Sequence, residues 1–215
     1  MRQIKAVIFD LDGTLANTLP LCIHAFRQSI EPLINRSVSD EEIIATFGPS
    51  EEGTIKALVP DYYDKGVANY LQQYELSHHM CPSTFSGIPE LISFLKKQGV
   101  HISLVTGKGR YSTEISLKHF ELEDAFEFVE TGSALGPRKP ECIAKILAKL
   151  GNISKEEVIY VGDAPSDILA SREAGVSAIA AAWAETAEPE KLLELKPDEL
   201  FYSFENFSIW LKQNV

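Results

Sequence analysis

The chain has 215 residues, enough for one good core with a small insert. It is 45% hydrophobic and 24% charged with a net charge of −11, which suits a soluble globular protein and argues against nucleic acid or an anionic membrane surface as the main partner. Its three cysteines, Cys22, Cys81 and Cys142, show neither zinc spacing nor a disulfide framework, and read as reduced thiols of a cytoplasmic protein. No run is long enough to cross a bilayer, and the first apolar run is too short for a signal peptide.

Five of the six residues from Ile4 to Phe9 are apolar, so Ala6–Phe9 reads as a buried strand. Asp10-Leu11-Asp12-Gly13-Thr14 follows at its exit. Two carboxylates at the edge of a core are costly unless a cation neutralises them. A divalent ion is the economical explanation, and Gly13 supplies the sharp turn out of the strand. Residues 16–86 then contain no convincing strand. Helical patterns cover Leu21–Ile30, Glu41–Thr46 behind the capping box Ser39-Asp40-Glu41-Glu42, Glu51–Leu58 after the turn Gly48-Pro49-Ser50, and Asp64–Ser77. This segment is expected to be a small all-helical cap.

Beyond it, strand and helix alternate. Helices are predicted at Ile88–Gln98, Ser112–His119, Glu141–Leu150 and Ser166–Ala174, and strands at Ile102–Val105, Phe126–Glu130, Val158–Val161 and Ala178–Ala181. Ser154-Lys155-Glu156-Glu157 reads as a capping box before the Val158 strand. Two further helices, Pro189–Leu195 and one near Phe204–Leu211, close the chain. The alternation predicts an α/β fold: a Rossmann-like parallel sheet with helices on both faces, formed by residues 1–15 and 87–215, with the cap of residues 16–86 inserted after the first strand. Ligands of such sheets bind beyond the carboxyl ends of the strands.

The polar residues fall at those ends. The second strand runs into Thr106-Gly107-Lys108-Gly109, whose hydroxyl and backbone N–H groups suit phosphate oxygens. The third leads to the loop Gly132–Pro140, which carries Arg138 and Lys139. The fourth runs into Gly162-Asp163-Ala164-Pro165-Ser166-Asp167. Asp10, Asp12, Asp163 and Asp167 therefore place up to four acids around one cavity, an oxygen donor set suited to Mg²⁺. Lys139 is placed to neutralise a carboxylate nucleophile and a transferring phosphoryl group, and Thr106 to donate a hydrogen bond to phosphate. An ionised Asp attacks phosphorus to give an aspartyl phosphate, and Asp12 would protonate the leaving oxygen and later deprotonate water. Each element alone has a plainer reading: a turn, a solvated lysine, a helix cap. Their convergence on one sheet edge is what favours chemistry.

In the order Asp10-x-Asp12-Gly13-Thr14, Thr106, Lys139 and Gly162-Asp163-x-x-x-Asp167, the chain resembles the haloacid dehalogenase superfamily from residue 4 to about residue 182. The helical insert is similar to the type 1 cap of that family. Within it the chain resembles the phosphoglycolate phosphatase-like branch, and Thr46-Phe47-Gly48-Pro49-Ser50 and Val105-Thr106-Gly107-Lys108 are similar to its pyrophosphatase members. The resemblance implies a mobile lid over the core, Asp10 as nucleophile and Asp12 as general acid/base. It implies Mg²⁺ held by Asp10, the Asp12 carbonyl and Asp163, with Asp167 supporting the metal shell. Thr106 and Lys139, with Gly107 and Lys108, would bind phosphate. Two departures stand out: Arg138 where many relatives have glycine, and Ala164-Pro165 after Gly162-Asp163.

The expected activity is Mg²⁺-dependent hydrolysis of a small phosphorylated, phosphoglycolate-like metabolite through an aspartyl phosphate. Inorganic pyrophosphate is the first alternative, to be decided by cap residues near Gly48, Pro49 and Ser50 with Lys56. A phosphomutase is the next alternative, and a non-catalytic binder the last. The expected partner is a small-molecule phosphate substrate, with no nucleic acid or membrane, and the protein is expected to be a monomer or weak homodimer. Residues 16–86 carry four basic residues against nine acids, so the cations expected near the site are Lys108, Arg110, Arg138 and Lys139 of the core loops. The five histidines show no ligand spacing and read as surface or partly buried structural residues. Trp183 and Trp210 read as packing residues.

Overall fold

A computed structural model describes residues 3–215. Six parallel strands form one sheet: β1 (Ala6–Phe9), β2 (His101–Val105), β3 (Phe128–Glu130), β4 (Val158–Gly162), β5 (Ser177–Ala181) and β6 (Glu199–Phe201). Their order is β3-β2-β1-β4-β5-β6. The order reverses at β1, which pairs with β2 through Phe9 and Leu104 and with β4 through Phe9 and Val161. A parallel sheet opens its ligand crevice at such a reversal, so Asp10 leaves β1 at the topological switch point.

Alternate residues of β1 enter different cores, as a period of two requires. Val7 and Phe9 pack with Leu91 and Leu95 of α5 (Ile88–Lys97) and with Phe207 and Leu211 of α10 (Phe204–Asn214). Ala6 and Ile8 pack on the other face with Ile143 and Ile146 of α7 (Lys139–Leu150) and Ala170 of α8 (Pro165–Ala174). Helices thus cover both faces. The remaining core helices are α6 (Arg110–His119) and α9 (Pro189–Glu194).

Between β1 and α5 lie four helices, α1 (Leu19–Ile34), α2 (Asp40–Ile44), α3 (Glu51–Leu58) and α4 (Tyr63–Leu76). Their buried residues Phe26, Ile43, Ile55, Tyr70 and Tyr74 belong to the same apolar cluster as the first sheet face. An aromatic column links this segment to α6: Phe26–Tyr70 at 4.4 Å, Tyr70–Tyr74 at 5.7 Å, Tyr74–His78 at 5.4 Å and His78–His119 at 4.0 Å between ring centroids. His78 is fully buried, deeper than the expected surface or partial burial.

Several expected boundaries move for identifiable reasons. The Ser39–Glu42 capping box forms as expected and opens α2. Helix α1 continues to Ile34, four residues past its expected end, with Pro32 inside it. Helix α6 begins at Arg110, two residues early, because a carboxylate from α3 caps it from outside. Helix α7 begins at Lys139, because Pro140 is tolerated in a first turn. Phe126 lies outside β3 and packs as a buried residue. Strand β6 was not expected at all. It is three residues long, too short to show alternation, and Asp198 ties it to Ala178 of β5.

Gly13 adopts φ +73°, and a Cβ there would lie 2.0 Å from Oδ2 of Asp163. Gly13→Ala is therefore expected to lower stability by roughly 2–4 kcal/mol, from the left-handed backbone and the collision together. Chemical denaturation of the two proteins without added metal checks this.

Candidate active site

The site is assembled from the ends of β1, β2 and β4 and the start of α7. Asp10 continues the β1 ladder, its N–H donating to the Val161 carbonyl at 2.9 Å, and is almost wholly buried. Carboxylate oxygens of Asp10, Asp163 and Asp167 lie within 4.8 Å of one another. Lys139 reaches into this cluster from the first residue of α7. Its Nζ donates to Oδ2 of Asp10 at 2.8 Å and to Oδ1 of Asp167 at 2.5 Å. Oδ1 of Asp10 is buried with no hydrogen-bond partner among the described residues.

Asp167 is fixed from two further directions. Its Oδ2 accepts the Ala164 N–H at 2.9 Å, closing the first turn of α8. Its Oδ1 accepts the Tyr160 hydroxyl at 3.0 Å, and that hydroxyl also lies 3.2 Å from the Val105 carbonyl. The helix-capping role thus falls to Asp167, while Asp163 turns toward Gly13 and Thr14. The tail braces the β1 exit: Trp183 donates through Nε1 to the Thr14 carbonyl at 3.1 Å and stacks on Phe207. Trp210 packs on Phe201 and Phe207.

The electrostatics are those of too many acids for one lysine. Burial pushes the Asp10 carboxyl up to about 7, with Lys139 opposing and Asp167 and Asp12 adding to the rise. Burial, then Asp167 and Asp10, hold the Asp163 carboxyl well above the ordinary range. Burial works against the Lys139 charge, but Asp10 and Asp167 outweigh it and hold its ammonium well above the usual lysine range. Hard oxygen donors with an unpartnered carboxylate oxygen among them fit a divalent cation such as Mg²⁺.

The other expected site residues divide. Thr106 is buried at the end of β2, its Oγ1 accepting the Lys108 N–H at 3.2 Å. Gly107 lies beside Lys139, since a Cβ there would come 3.9 Å from Cε of Lys139. The loop is held by Gly132, whose N–H donates to the Lys108 carbonyl at 2.6 Å and whose own Cβ would strike the Gly107 carbonyl. Asp12 does not join the three-carboxylate cluster. Its Oδ1 accepts from Thr18 Oγ1 and lies 3.4 Å from Nζ of Lys108. Lys108 is buried, not solvated. Arg110 turns outward to Glu114, against the expectation that it lies near the site. Arg138 is half-buried, its Nε enclosed without a partner among the described residues and its charge near Cys142 of α7. Ser50 is buried, and its N–H donates to the Ser133 carbonyl at 2.9 Å, whereas Lys56 is exposed.

Residues 7–181 match the model of the haloacid dehalogenase-like hydrolases. The chain belongs to that family. Among curated members, a pyrophosphatase PpaX of Bacillus pumilus is 32% identical over 197 residues, covering 91% of this chain and 90% of that one. A pyrophosphatase PpaX of Anoxybacillus flavithermus is 31% identical over 207 residues, covering 92% and 96%. A solved haloacid dehalogenase-like hydrolase of Streptococcus pneumoniae superposes with a TM-score of 0.76 at 25% identity, covering 96% of this chain and 98% of that one. The Rossmann-like sheet with its two helical layers is thus the fold of this hydrolase family. No helix among the described residues is long and apolar enough to cross a membrane.

Three side chains that brace this candidate site carry little local sequence signal. Tyr160 looked like one more apolar strand residue, and Trp183 like packing alone. Glu51 opens a helix that the sequence predicts, yet its carboxylate is buried against the start of α6. Only its position directly after Gly48-Pro49-Ser50 hinted at this.

Proposed function

We propose that this chain is a Mg²⁺-dependent phosphohydrolase of a small phosphate compound, working through an aspartyl phosphate on Asp10, with residues 16–86 acting as a cap over the site. The observation that carries the proposal is Asp10 itself. Oδ2 is tied to Lys139 while Oδ1 is enclosed without a partner among the described residues, and carboxylate oxygens of Asp163 and Asp167 lie within 4.8 Å of an Asp10 oxygen. An anionic oxygen left in that state is the natural site for an electrophile.

Asp10, the Asp12 carbonyl and Asp163 would hold Mg²⁺, with Asp167 behind them. When bound, the ion offsets the carboxylate charge and stabilises charge on the transferring phosphoryl group. The other roles belong to the chain. Thr106 and the Gly107 backbone would bind phosphate oxygens, and Lys139 would orient Asp10 and neutralise developing charge. An Asp10 oxygen attacks phosphorus as the bond to the leaving oxygen breaks, and Asp12 gives that oxygen its proton. Asp12 then takes a proton from water, whose oxygen attacks phosphorus, releasing phosphate and the free Asp10 carboxylate.

The similarity to PpaX pyrophosphatases over more than nine-tenths of the chain makes inorganic pyrophosphate the first substrate to test. Phosphate release is measured from pyrophosphate and from a panel of small phosphomonoesters, phosphoglycolate included, with Mg²⁺ and with excess EDTA. Turnover of at least one of them that EDTA abolishes is expected. Release at the uncatalysed level from every compound, with Mg²⁺ present, would overturn the proposal.

A further inference from the structure

Glu51 opens α3 in the helical insert, but among the described residues every polar contact of its carboxylate is to the β2–α6 unit of the core. Oε2 accepts the Gly109 N–H at 2.5 Å, and Oε1 accepts the Ser112 hydroxyl at 2.6 Å. Oε1 also lies 3.3 Å from Nζ of Lys108. This carboxylate caps a ten-residue helix from outside, at the end where backbone N–H groups lack partners. The neighbouring Ser50 N–H, hydrogen-bonded to the Ser133 carbonyl, ties the same corner to the loop that precedes Lys139.

Lys108 is what makes the contact more than a clasp. Its side chain is only 3% exposed. Nζ lies between Glu51 and Asp12, donates to Sγ of Cys22 at 3.1 Å, and sits 4.4 Å above the Tyr74 ring. A lysine this deeply enclosed needs its charge met on more than one side. Asp12 comes from the loop that leaves β1, Glu51 and Tyr74 from the insert. The ammonium therefore has a full set of counter-groups only while the insert is docked.

We propose that Glu51 and Lys108 form a latch: docking of the insert delivers Glu51 to Lys108 and to the α6 N-terminus, and Lys108, so held, fixes the Asp12 carboxylate. Both are positioning residues. Lys108 acts through Asp12 and serves the phosphate only indirectly. The proposal rests on the reading of residues 16–86 as a moving cap and of Asp12 as the proton-transfer group.

Cys22 supplies a readout that needs no turnover, because its thiol lies against Lys108 beneath the latch, and it is buried like Cys81 and Cys142. Native protein is treated with iodoacetamide and the labelling of each cysteine is followed by peptide mass spectrometry. In Glu51→Gln, which keeps the shape but loses the charge, Cys22 is expected to label at least about tenfold faster than in the wild type. Cys142, on the opposite sheet face, is expected to keep its rate. Lys108→Arg, which preserves the cation, is expected to label slowly, like the wild type. On whichever phosphate compound the enzyme hydrolyses, Glu51→Gln is expected to lower kcat about tenfold or more, with KM changed by less than about threefold. An unchanged Cys22 rate in Glu51→Gln, or equal acceleration of Cys22 and Cys142, would overturn the latch even if turnover is normal. Selective exposure of Cys22 in a protein that hydrolyses nothing would sustain the latch as a docking contact and sink the hydrolase reading instead.

Discussion

Asp10→Asn is expected to remove turnover, by roughly 10⁴-fold or more, and at the same time to stabilise the metal-free protein. The first effect follows because an amide oxygen is a poor nucleophile and leaves no acyl phosphate to hydrolyse. The second follows from burial. The Asp10 carboxyl is raised from 3.8 to about 7 in the folded chain. A carboxyl raised in the folded state contributes stability below its unfolded value, and that contribution is lost as pH climbs through the folded value. Without metal, Asp10 therefore costs nothing near pH 4 and increasingly more toward pH 7 and above, where the cost reaches about 4 kcal/mol. Asparagine is neutral throughout. Thermal melts in EDTA are expected to give nearly equal Tm values near pH 4 and a higher Tm for the variant at pH 8. Added Mg²⁺ is expected to raise the Tm of the wild type far more than that of the variant. A variant less stable than the wild type in EDTA at pH 8 would show that Asp10 is held by neighbours rather than poised for a cation.

Lys139→Met is the second large effect, and its stability term has the opposite sign. Among the described residues, Lys139 is the one cation within hydrogen-bond reach of Asp10 and Asp167, whose side chains are 6% and 2% exposed. Removing it leaves two enclosed carboxylates without their cation, a change that costs about 3–5 kcal/mol at neutral pH. Of the influences on Asp10 that oppose burial, Lys139 is the largest, so its loss drives the Asp10 carboxyl still higher. The penalty is therefore expected to be full at pH 8 and to shrink as pH falls and Asp10 takes up a proton. Turnover is expected to fall by about 10²–10³-fold, because the transferring phosphoryl group loses its fixed positive neighbour. Urea denaturation at pH 5 and pH 8, with phosphate release measured at pH 8, checks both parts. A penalty that is independent of pH would mean that Lys139 serves packing alone.

Much of this was legible before the structure. Ile4–Phe9 announces a central strand because both of its faces are buried, so no polar residue interrupts the apolar run except Lys5 at its start. The carboxylates at Asp10, Asp163 and Asp167 could be placed together because a parallel sheet brings its strand ends to one edge. The docking of Glu51 on α6 was not legible. It depends on how a helix from one part of the chain meets a loop 58 residues away, and no local pattern encodes that approach. Lys108 illustrates the same limit. Between two glycines it looks like a solvated helix start, and only the arrival of Glu51, Asp12 and Tyr74 makes its burial tolerable. Strand β6 and the bracing of Thr14 by Trp183 are likewise products of packing across long sequence separations.

The most direct test is chemical capture of the intermediate. The protein is mixed with its substrate and Mg²⁺, quenched in acid during turnover and reduced with borohydride, which converts an aspartyl phosphate to homoserine. Peptide mass spectrometry is expected to find homoserine at position 10, and only when substrate and Mg²⁺ are both present. Turnover with residue 10 unreduced, or with the modification at Asp12, Asp163 or Asp167 instead, would contradict the assignment of Asp10 as the group that accepts the phosphoryl.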